Sequence, residues 1–285
     1  MTATIFNGRT LAQTLQHDIT AEVTRLTKHH HTSPTITTVI IGDDPASLLY
    51  LRLRENACKT VGIQTHRLPF PATASETEVL SAIRGLNQDP AVHGILIQYP
   101  LPPNFHPHLF MSTVDPQKDV EGFHPLNLGR TLTGDERLIP CTPHAILTIL
   151  THEHIPLKGA EVTIVNHSTV VGKPLAALLI NRDATVTICH VYTKDLKQHT
   201  TKADILVTGA GVPGLITDSL VKQGAIVLDV GTKATTDGVH GDVAFETVKE
   251  KAGFITPVPG GVGPVTTAMA LCNMLKTFQM IHENK

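Results

Sequence analysis

The sequence predicts an α/β protein built of two βαβ domains, and three observations carry that prediction. Short apolar or β-branched runs of strand length alternate with helix-length amphipathic segments. A proline-dense stretch from Pro100 to Pro143 then interrupts the alternation. Beyond it a second series of the same kind starts at Glu161 to Val165.

The first helix follows from Leu11, Leu15, Ile19, Val23 and Leu26, which share one face at helical spacing. Pro34 breaks the chain. Thr37 to Ile41 reads as a buried strand that ends in the turn Gly42-Asp43-Asp44-Pro45. A helix from about Ala46 to Val61, a strand near Gln64 to Leu68, a helix from about Ser75 to Leu86 and a strand at Gly94 to Ile97 complete the first series. Pro100 to Pro143 reads as loops and short helices crossing between domains, or as one long active-site loop. The second series continues with helix Val171 to Ile180 and with strands at Thr185 to Cys189, Asp204 to Val207 and Ala225 to Asp229. A last helix is expected from about Val265 to Gln279.

Composition excludes several classes. The apolar share is 41% and the charged share 17%, enough to bury a core and unlike a disordered chain. A formal net charge of -2 gives no basic footprint for nucleic acid and no polybasic membrane face. Met1 to Thr10 lacks the pattern of a secretion signal, and no apolar run approaches the ~20 residues that span a bilayer. Cys58, Cys141, Cys189 and Cys272 form no C-x-x-C pair and read as small core residues in a reducing compartment, with no metal site implied. The expectation is a cytoplasmic protein. The chain has 17 histidines, and the His29-His30-His31 run at the polar end of the first helix reads as a solvated face rather than a metal site.

The turn after Glu161 to Val165 runs Asn166-His167-Ser168-Thr169-Val170-Val171-Gly172-Lys173-Pro174, straight from a strand into a helix. That is where a Rossmann-type parallel sheet places a dinucleotide pyrophosphate, against unpaired N–H groups at a helix N-terminus. G-x-G-x-x-G is absent, and an ordinary βα connection is the competing reading. NAD-specific folds place an acidic residue near the end of the next strand to hold the ribose 2′-hydroxyl. Here that end reads His190-Val191-Tyr192-Thr193-Lys194. His167, His190 and Lys194 could face a 2′-phosphate, so NADP is favoured and NAD remains the alternative.

Six segments in order resemble motifs of the methylenetetrahydrofolate dehydrogenase/methenyltetrahydrofolate cyclohydrolase family. They are Gly42-Asp43-Asp44-Pro45-Ala46-Ser47 with Tyr50, Gly94 through Pro102, and Lys118-Asp119-Val120-Glu121-Gly122-Phe123-His124-Pro125. Pro140-Cys141-Thr142-Pro143, Ser168-x-x-Val171-Gly172-x-Pro174 and Thr256 through Pro264 complete the set. The resemblance implies two βαβ domains flanking a cleft that holds the folate, the C-terminal one a Rossmann-type sheet. It implies a folate-binding catalytic domain over 1–139, completed by a last helix at 265–285, and an NAD(P)-binding domain over 140–264. It implies oxidation of 5,10-methylenetetrahydrofolate with NADP+, then hydrolysis of the methenyl product to 10-formyltetrahydrofolate, in a homodimer that supplies one-carbon units to purine, histidine and methionine biosynthesis. Carried over by position, Tyr50 lines the folate pocket and Gln98 hydrogen-bonds near the reacting centre and orients water. Glu121 stands where the family has an aspartate that binds the pterin. Pro259, Gly260, Gly261, Gly263 and Pro264 match a loop closing over the folate, with a plain helix N-terminal turn as the alternative.

The departures fall at functional positions. The family's general-base lysine is replaced by Arg54, one helical turn after Tyr50. Arginine, with a pKa above ~12, cannot act as a base, so hydrolysis is expected to weaken more than hydride transfer. Glu121 adds a methylene to the family aspartate, which is expected to cost about 1–3 kcal/mol of pterin binding. In the cofactor-binding set Asn166, His167 and Ser168 replace glycine-arginine-serine, Val191 replaces a serine at the 2′-phosphate, and Thr232 with Lys233 replaces isoleucine-asparagine. Loss of the first glycine is expected to crowd the pyrophosphate turn. A paralogue that binds folate or nucleotide without turnover is the alternative function, and a Rossmann-type dehydrogenase of another small substrate is a third.

Overall fold

The computed structural model describes residues 2–236 and 238–283, with only the backbone described at Pro45, Ala46 and Leu49 of the first βα turn and helix. In chain order the elements begin with β1 (Thr4–Ile5), α1 (Gly8–His30), β2 (Thr35–Ile41), α2 (Pro45–Val61), β3 (Gln64–Phe70), α3 (Glu76–Gln88) and β4 (Gly94–Ile97). Three helices follow, α4 (Pro107–Thr113), α5 (Pro125–Leu132) and α6 (Cys141–His152). Next come β5 (Glu161–Val165), α7 (Gly172–Ile180), β6 (Thr185–Cys189), α8 (Leu196–Thr200), β7 (Ile205–Thr208) and β8 (Ile226–Asp229). The chain closes with β9 (Lys233–Thr235), β10 (Gly238–His240), α9 (Phe245–Val248), β11 (Phe254–Ile255) and α10 (Val262–Glu283). It divides into two compact units, one of residues 14–130, 136–139 and 270–285, the other of residues 1–13, 131–135 and 140–269.

The first of these units is built on a parallel three-stranded sheet in the order β3-β2-β4. Every residue of β2 and β4 is buried, as a strand covered on both faces requires, and the unbroken Thr-Ile-Thr-Thr-Val-Ile-Ile run is its signature. Edge strand β3 carries the polar residues. Local signals set the helix ends. Asp44 accepts the Ser47 N–H at 2.8 Å ahead of α2, and Gly62 ends it in the left-handed region at φ 86°. Ser75 accepts the Glu78 N–H ahead of α3. Val39, Val79, Ile83, Ile95, Phe105 and Phe110 fill the core.

Residues 118–120 run beside β4 without forming a full strand. Ile95 N–H donates to the Lys118 carbonyl, and Asp119 pairs with Ile95 as an isolated parallel bridge. From α10, the buried Asn273 donates its amide to the carbonyls of Val120 at 2.9 Å and Ile139 at 2.8 Å.

The histidine run is only partly the solvated face expected of it. His29 and His31 are exposed, but His30 is half-buried, 4.3 Å between ring centroids from His282 and 5.5 Å from Phe278. His93 stacks on His282 with ring centroids 5.5 Å apart. The reason is positional: the last turns of α1 and α10 lie together, and helical spacing turns the middle histidine inward. Burial and the neighbouring His282, His29 and Arg25 charges push the His30 pKa down. Among the described residues no group of three or more His, Cys, Asp or Glu is placed to hold a metal ion, and all four cysteines are free thiols. No described helix is long and apolar enough to cross a membrane.

The second unit holds a six-stranded sheet in the order β1-β11-β8-β7-β5-β6, every pair parallel. The Rossmann-type parallel sheet expected from the sequence is present, with two short additions, β1 and β11, whose two residues each give too little pattern to read. Helices α4 and α5 are short ones of the kind expected in the proline-rich stretch, while α6, which starts at its end, has no counterpart in the sequence reading. Pro143 lies in its first turn, where a missing N–H costs nothing, so proline there opens a helix instead of breaking it. Helix α10 starts at Val262, three residues before the sequence estimate, so Gly263 and Pro264 belong to its first turn.

Two buried aspartates tie the ends of β7 and β8. Asp229 accepts from the N–H groups of Gly231 and Val243, both at 2.9 Å. Asp242 accepts from the Thr208 hydroxyl at 2.8 Å and the Val212 N–H at 2.9 Å, and also from the Ala210 N–H. Each aspartate fills space that a neighbouring glycine leaves: a Cβ on Gly231 would lie 2.3 Å from the Asp242 carboxylate, and one on Gly241 2.1 Å from that of Asp229. Burial pushes the Asp229 pKa up to about 6, against its three backbone donors and with the charge of Asp242 adding to the rise.

Two outcomes follow for stability. Asn273→Ala leaves two buried carbonyls without their donor and is expected to cost about 2–4 kcal/mol, read as a fall of the urea midpoint or Tm. For Asp229 the folded pKa lies above the unfolded value of 3.8, so its contribution is whole below that value and lost as pH rises through about 6. Relative to Asp229→Asn, the wild type is expected to lose on the order of 3 kcal/mol between pH 4 and 7, with the difference then constant. A pH-independent difference in urea stability would exclude this.

Candidate active site

In the first unit, α2 presents Tyr50 and, one turn later, Arg54. The guanidinium carbon lies 5.6 Å from the centroid of the Tyr50 ring. Arg54 Nη2 pairs with Glu121 Oε1 at 3.1 Å, with 13% and 16% of the two side chains exposed. Two positions that the sequence presents as separate departures are therefore one ion pair. Tyr50 itself is 43% exposed.

Gln98 follows β4, 9% exposed. Its backbone N–H donates to the Val39 carbonyl and its side-chain amide to the Tyr99 carbonyl, both at 2.9 Å. Its Oε1 is buried without a hydrogen-bond partner among the described residues, as are Arg54 Nε and the Tyr99 hydroxyl. Buried polar atoms left unmatched in a protein of this kind mark where a ligand or water supplies the partner. Burial also pushes the Tyr99 phenol well above its ordinary range.

Glu121 is aimed by the residues around it. Asp119, two residues earlier, accepts from the Gly122 N–H at 3.0 Å, the His124 N–H at 2.8 Å and the Asn127 amide at 2.9 Å, folding residues 119–127 into a tight turn. Beside this turn lies a cavity of about 10 Å³, lined by Tyr99, Asp119, Glu121 and Phe123 over Ile95 and Ile97. That is room for about one water. Burial pushes the Glu121 carboxyl above the ordinary carboxylate range, with Arg54 opposing the shift and Asp119 adding to it. Sequence reading missed Tyr99, Asp119 and Asn273 as builders of this site. Asp119 and Tyr99 lay inside quoted motifs, but nothing local marks Asn273 as a brace.

In the second unit, β5 and β7 are neighbours, yet the chain reaches β6 between them. This reversal makes a topological switch point, the place where α/β sheets bind ligands. Asn166 closes the turn there. Its amide donates to the Gly209 carbonyl at 2.6 Å, while its Oδ1 accepts from the N–H groups of Ser168 at 2.8 Å and Gly172 at 3.0 Å and from the Ser168 hydroxyl. Ser168 Oγ in turn accepts the Val171 N–H at 3.1 Å. Asn166 thus turns into the protein and braces the loop, so two donors at the start of α7 are used internally. A Cβ on Gly172 would come 2.0 Å from the Asn166 carbonyl, so only glycine fits beneath the turn. His167 and His190, from the ends of β5 and β6, bring their rings to 4.9 Å, with Tyr192 6.0 Å from His190. Val191 is 84% exposed, and Thr232, just ahead of β9, is exposed as well.

Residues 257–264 form a turn that leads into α10. Pro259 and Gly260 form a turn, with Gly260 at φ 106°, and Gly261 N–H donates to the Pro257 carbonyl at 2.9 Å. Gly263 and Pro264 already lie within α10. Gly8, opening α1, donates to the Gly260 carbonyl at 3.0 Å, and a Cβ there would overlap the Gly261 carbonyl at 1.8 Å.

Comparison with known proteins agrees along the chain. Residues 6–121 match the model of the tetrahydrofolate dehydrogenase/cyclohydrolase catalytic domain, and residues 140–282 match that family's NAD(P)-binding domain. A protein of Methanosarcina barkeri named bifunctional protein FolD is 49% identical over 271 residues, covering 95% of this chain and 94% of that one. The crystal structure of the bifunctional FolD enzyme of Campylobacter jejuni superposes with a TM-score of 0.95 at 38% identity, covering 98% of this chain and 99% of that one. The Trypanosoma brucei FolD structure, complexed with NADP cofactor and inhibitor, gives 0.94 at 34% identity over 98% of both chains. Matched in both domains and at this identity along nearly its whole length, the chain belongs to the tetrahydrofolate dehydrogenase/cyclohydrolase family.

Proposed function

We propose that this protein oxidises 5,10-methylenetetrahydrofolate with NADP+ and hydrolyses the methenyl product to 10-formyltetrahydrofolate, hydrolysis being the weaker activity. The folate is assigned to residues 1–139 completed by 265–285, and the nucleotide to 140–264. The observation that carries the reading is the set of buried polar atoms without partners among the described residues, Arg54 Nε, Gln98 Oε1 and the Tyr99 hydroxyl, gathered with Tyr50 and Glu121 in one unit.

In this reading Tyr50 packs on the folate, Gln98 orients water and Glu121 binds the pterin. The backbone of Pro259, Gly260, Gly261, Gly263 and Pro264 contacts the folate. Arg54 supplies positive charge but no base. The residues around Asn166 fit a dinucleotide: the turn lies at a switch point, only glycine fits at Gly172, and the end of β6 through Lys194 carries no carboxylate. His167 and His190, with Ser168 and Val191 next to them in sequence and Thr232 between β8 and β9, are assigned to the nucleotide, and NADP over NAD is favoured by the two imidazoles. When bound, the nicotinamide accepts the hydride; the chain's residues hold and orient both partners. The assignment to a homodimer rests on the resemblance, and that to the cytoplasm on four cysteines that form no disulfide. The second reading, a binding paralogue without turnover, draws on the Arg54–Glu121 pair, which occupies two groups the reaction would use.

Incubation with methylenetetrahydrofolate and NADP+ is expected to produce NADPH, with methenyl product accumulating beyond what spontaneous hydrolysis removes. Ligand binding with no NADPH would select the paralogue; NADPH without methenyl accumulation would show that Arg54 does not slow hydrolysis. Arg54→Lys is expected to raise the enzymatic hydrolysis rate by ~10-fold or more, since a positioned base contributes ~10²–10⁴-fold. In a thermal-shift series NADP+ is expected to raise Tm at concentrations where NAD+ does not. The reverse order would overturn the cofactor assignment.

A further inference from the structure

The turns that follow β5 and β6 bring two imidazoles together. Val165 and Cys189 are partners at the ends of these parallel strands, so the residues just beyond them meet. His167 and His190 are both exposed, with ring centroids 4.9 Å apart. Their surroundings distinguish the two rings. His190 Nδ1 accepts the Tyr192 N–H at 3.2 Å, which fixes the ring proton on Nε2. The His190 N–H donates to the Thr193 hydroxyl at 2.9 Å and anchors the same turn. A second proton on His190 would have to break the Tyr192 bond, whereas among the described residues no hydrogen bond engages the His167 ring. The other titratable groups on the surrounding elements are Lys173 in the first turn of α7, Tyr192 and Lys194 after β6, and Asp195, which caps α8 by accepting the Gln198 N–H. The turn after β7, Gly209 to Val212, carries none of its own, and the Asp242 carboxylate bonded to it is engaged by Thr208, Ala210 and Val212.

We infer that His167 makes the choice of cofactor depend on pH: a protonated His167, with His190 donating from Nε2, meets the 2′-phosphate of NADP+, so the preference for NADP+ over NAD+ falls as pH rises. The inference rests on the assignment of the nucleotide to this turn. A phosphate monoester is close to a dianion above its second pKa of about 6. Such an anion favours the charged form of an imidazole, so binding draws a proton from solvent onto His167 whenever the ring is neutral beforehand. Affinity is therefore whole at a pH where the imidazole is already charged, and it is lost as pH climbs through the range in which imidazoles titrate. NAD+ carries a 2′-hydroxyl in place of the phosphate and has no such linkage. A lysine keeps its charge across this range, so Lys173 and Lys194 set the preference that remains at high pH and not its slope. The family's arginine at position 167 would stay charged throughout. Histidine there converts a fixed recognition charge into one that titrates.

The test is calorimetric titration of the protein with NADP+ and with NAD+ from pH 6.5 to 8, in buffers of different ionisation heat. The NADP+ Kd is expected to rise ~10-fold across the range, while that of NAD+ moves less than ~2-fold. Comparison between buffers is expected to show net uptake of up to about one proton per NADP+ bound near pH 7.5, and none with NAD+. His167→Arg is expected to bind NADP+ with a flat pH profile. His167→Gln is expected to bind it at every pH about as weakly as the wild type does at pH 8. His190→Gln is expected to weaken NADP+ binding throughout yet keep the slope. A flat wild-type NADP+ profile with NADP+ still preferred, or a slope that survives in His167→Gln, would overturn the inference and leave the cofactor assignment standing. NAD+ bound as tightly as NADP+ at every pH would remove the assignment itself. If a variant does not fold, the wild-type proton count decides, since no uptake with NADP+ also overturns the inference.

Discussion

The stretch that carries Glu121 has neither a full strand nor a helix of its own, so its position depends on side chains that pin its backbone. Asp119 gathers the Gly122 and His124 N–H groups and the Asn127 amide, and Asn273 takes the Val120 carbonyl. Both are buried, where an unmatched polar group costs about 1–3 kcal/mol, so the bonds resist exchange with water. Only with this brace does the Glu121 carboxylate meet Arg54 on α2. A buried ion pair adds little net stability. Its consequence here is placement, since Arg54 holds the Glu121 carboxylate, which lines a cavity the size of a water.

The nucleotide-type sheet uses the same device at another edge. Asn166 ties the turn after β5 to the turn after β7, and the Asp229 and Asp242 carboxylates tie the ends of β7 and β8 to the loops around them. Each brace is a short polar side chain answering backbone N–H groups or a carbonyl, beside glycines that leave it room. Loops at the carboxyl ends of parallel strands have no ladder of their own, so they acquire a defined shape only through such caps. The replacement of the family's first glycine by Asn166 is better read in this light. Its side chain does not crowd the turn but turns inward and supplies four of the contacts that hold it.

Much of the fold was legible because its signals are local. Buried strands such as Thr35–Ile41 and Glu161–Val165 announce themselves as unbroken β-branched runs, and α1 by its four-residue spacing. What escaped was local in a misleading way, or too short. Pro143 closes a stretch read as loops and short helices yet lies in the first turn of α6, and the two-residue strands β1 and β11 take their order from neighbours in the sheet. The candidate site was legible in its parts. Tyr50, Arg54, Gln98 and Glu121 were each recognisable, and Arg54 and Glu121 each stood out as a substitution, but one chain offers no way to see that they touch.

By itself the sequence determined the class of fold, the alternation of strands and helices, the family and the chemical types available to the site, because each depends on composition, period or a contiguous motif. Tertiary structure alone decided that His30 lies among aromatic rings, that Asn166 braces its turn, and that Arg54 and Glu121 form one ion pair. Those outcomes depend on which distant segments come within about 3 to 5 Å of each other, the range over which hydrogen bonds, charge pairs and ring contacts act. Separation along the chain carries no record of that distance.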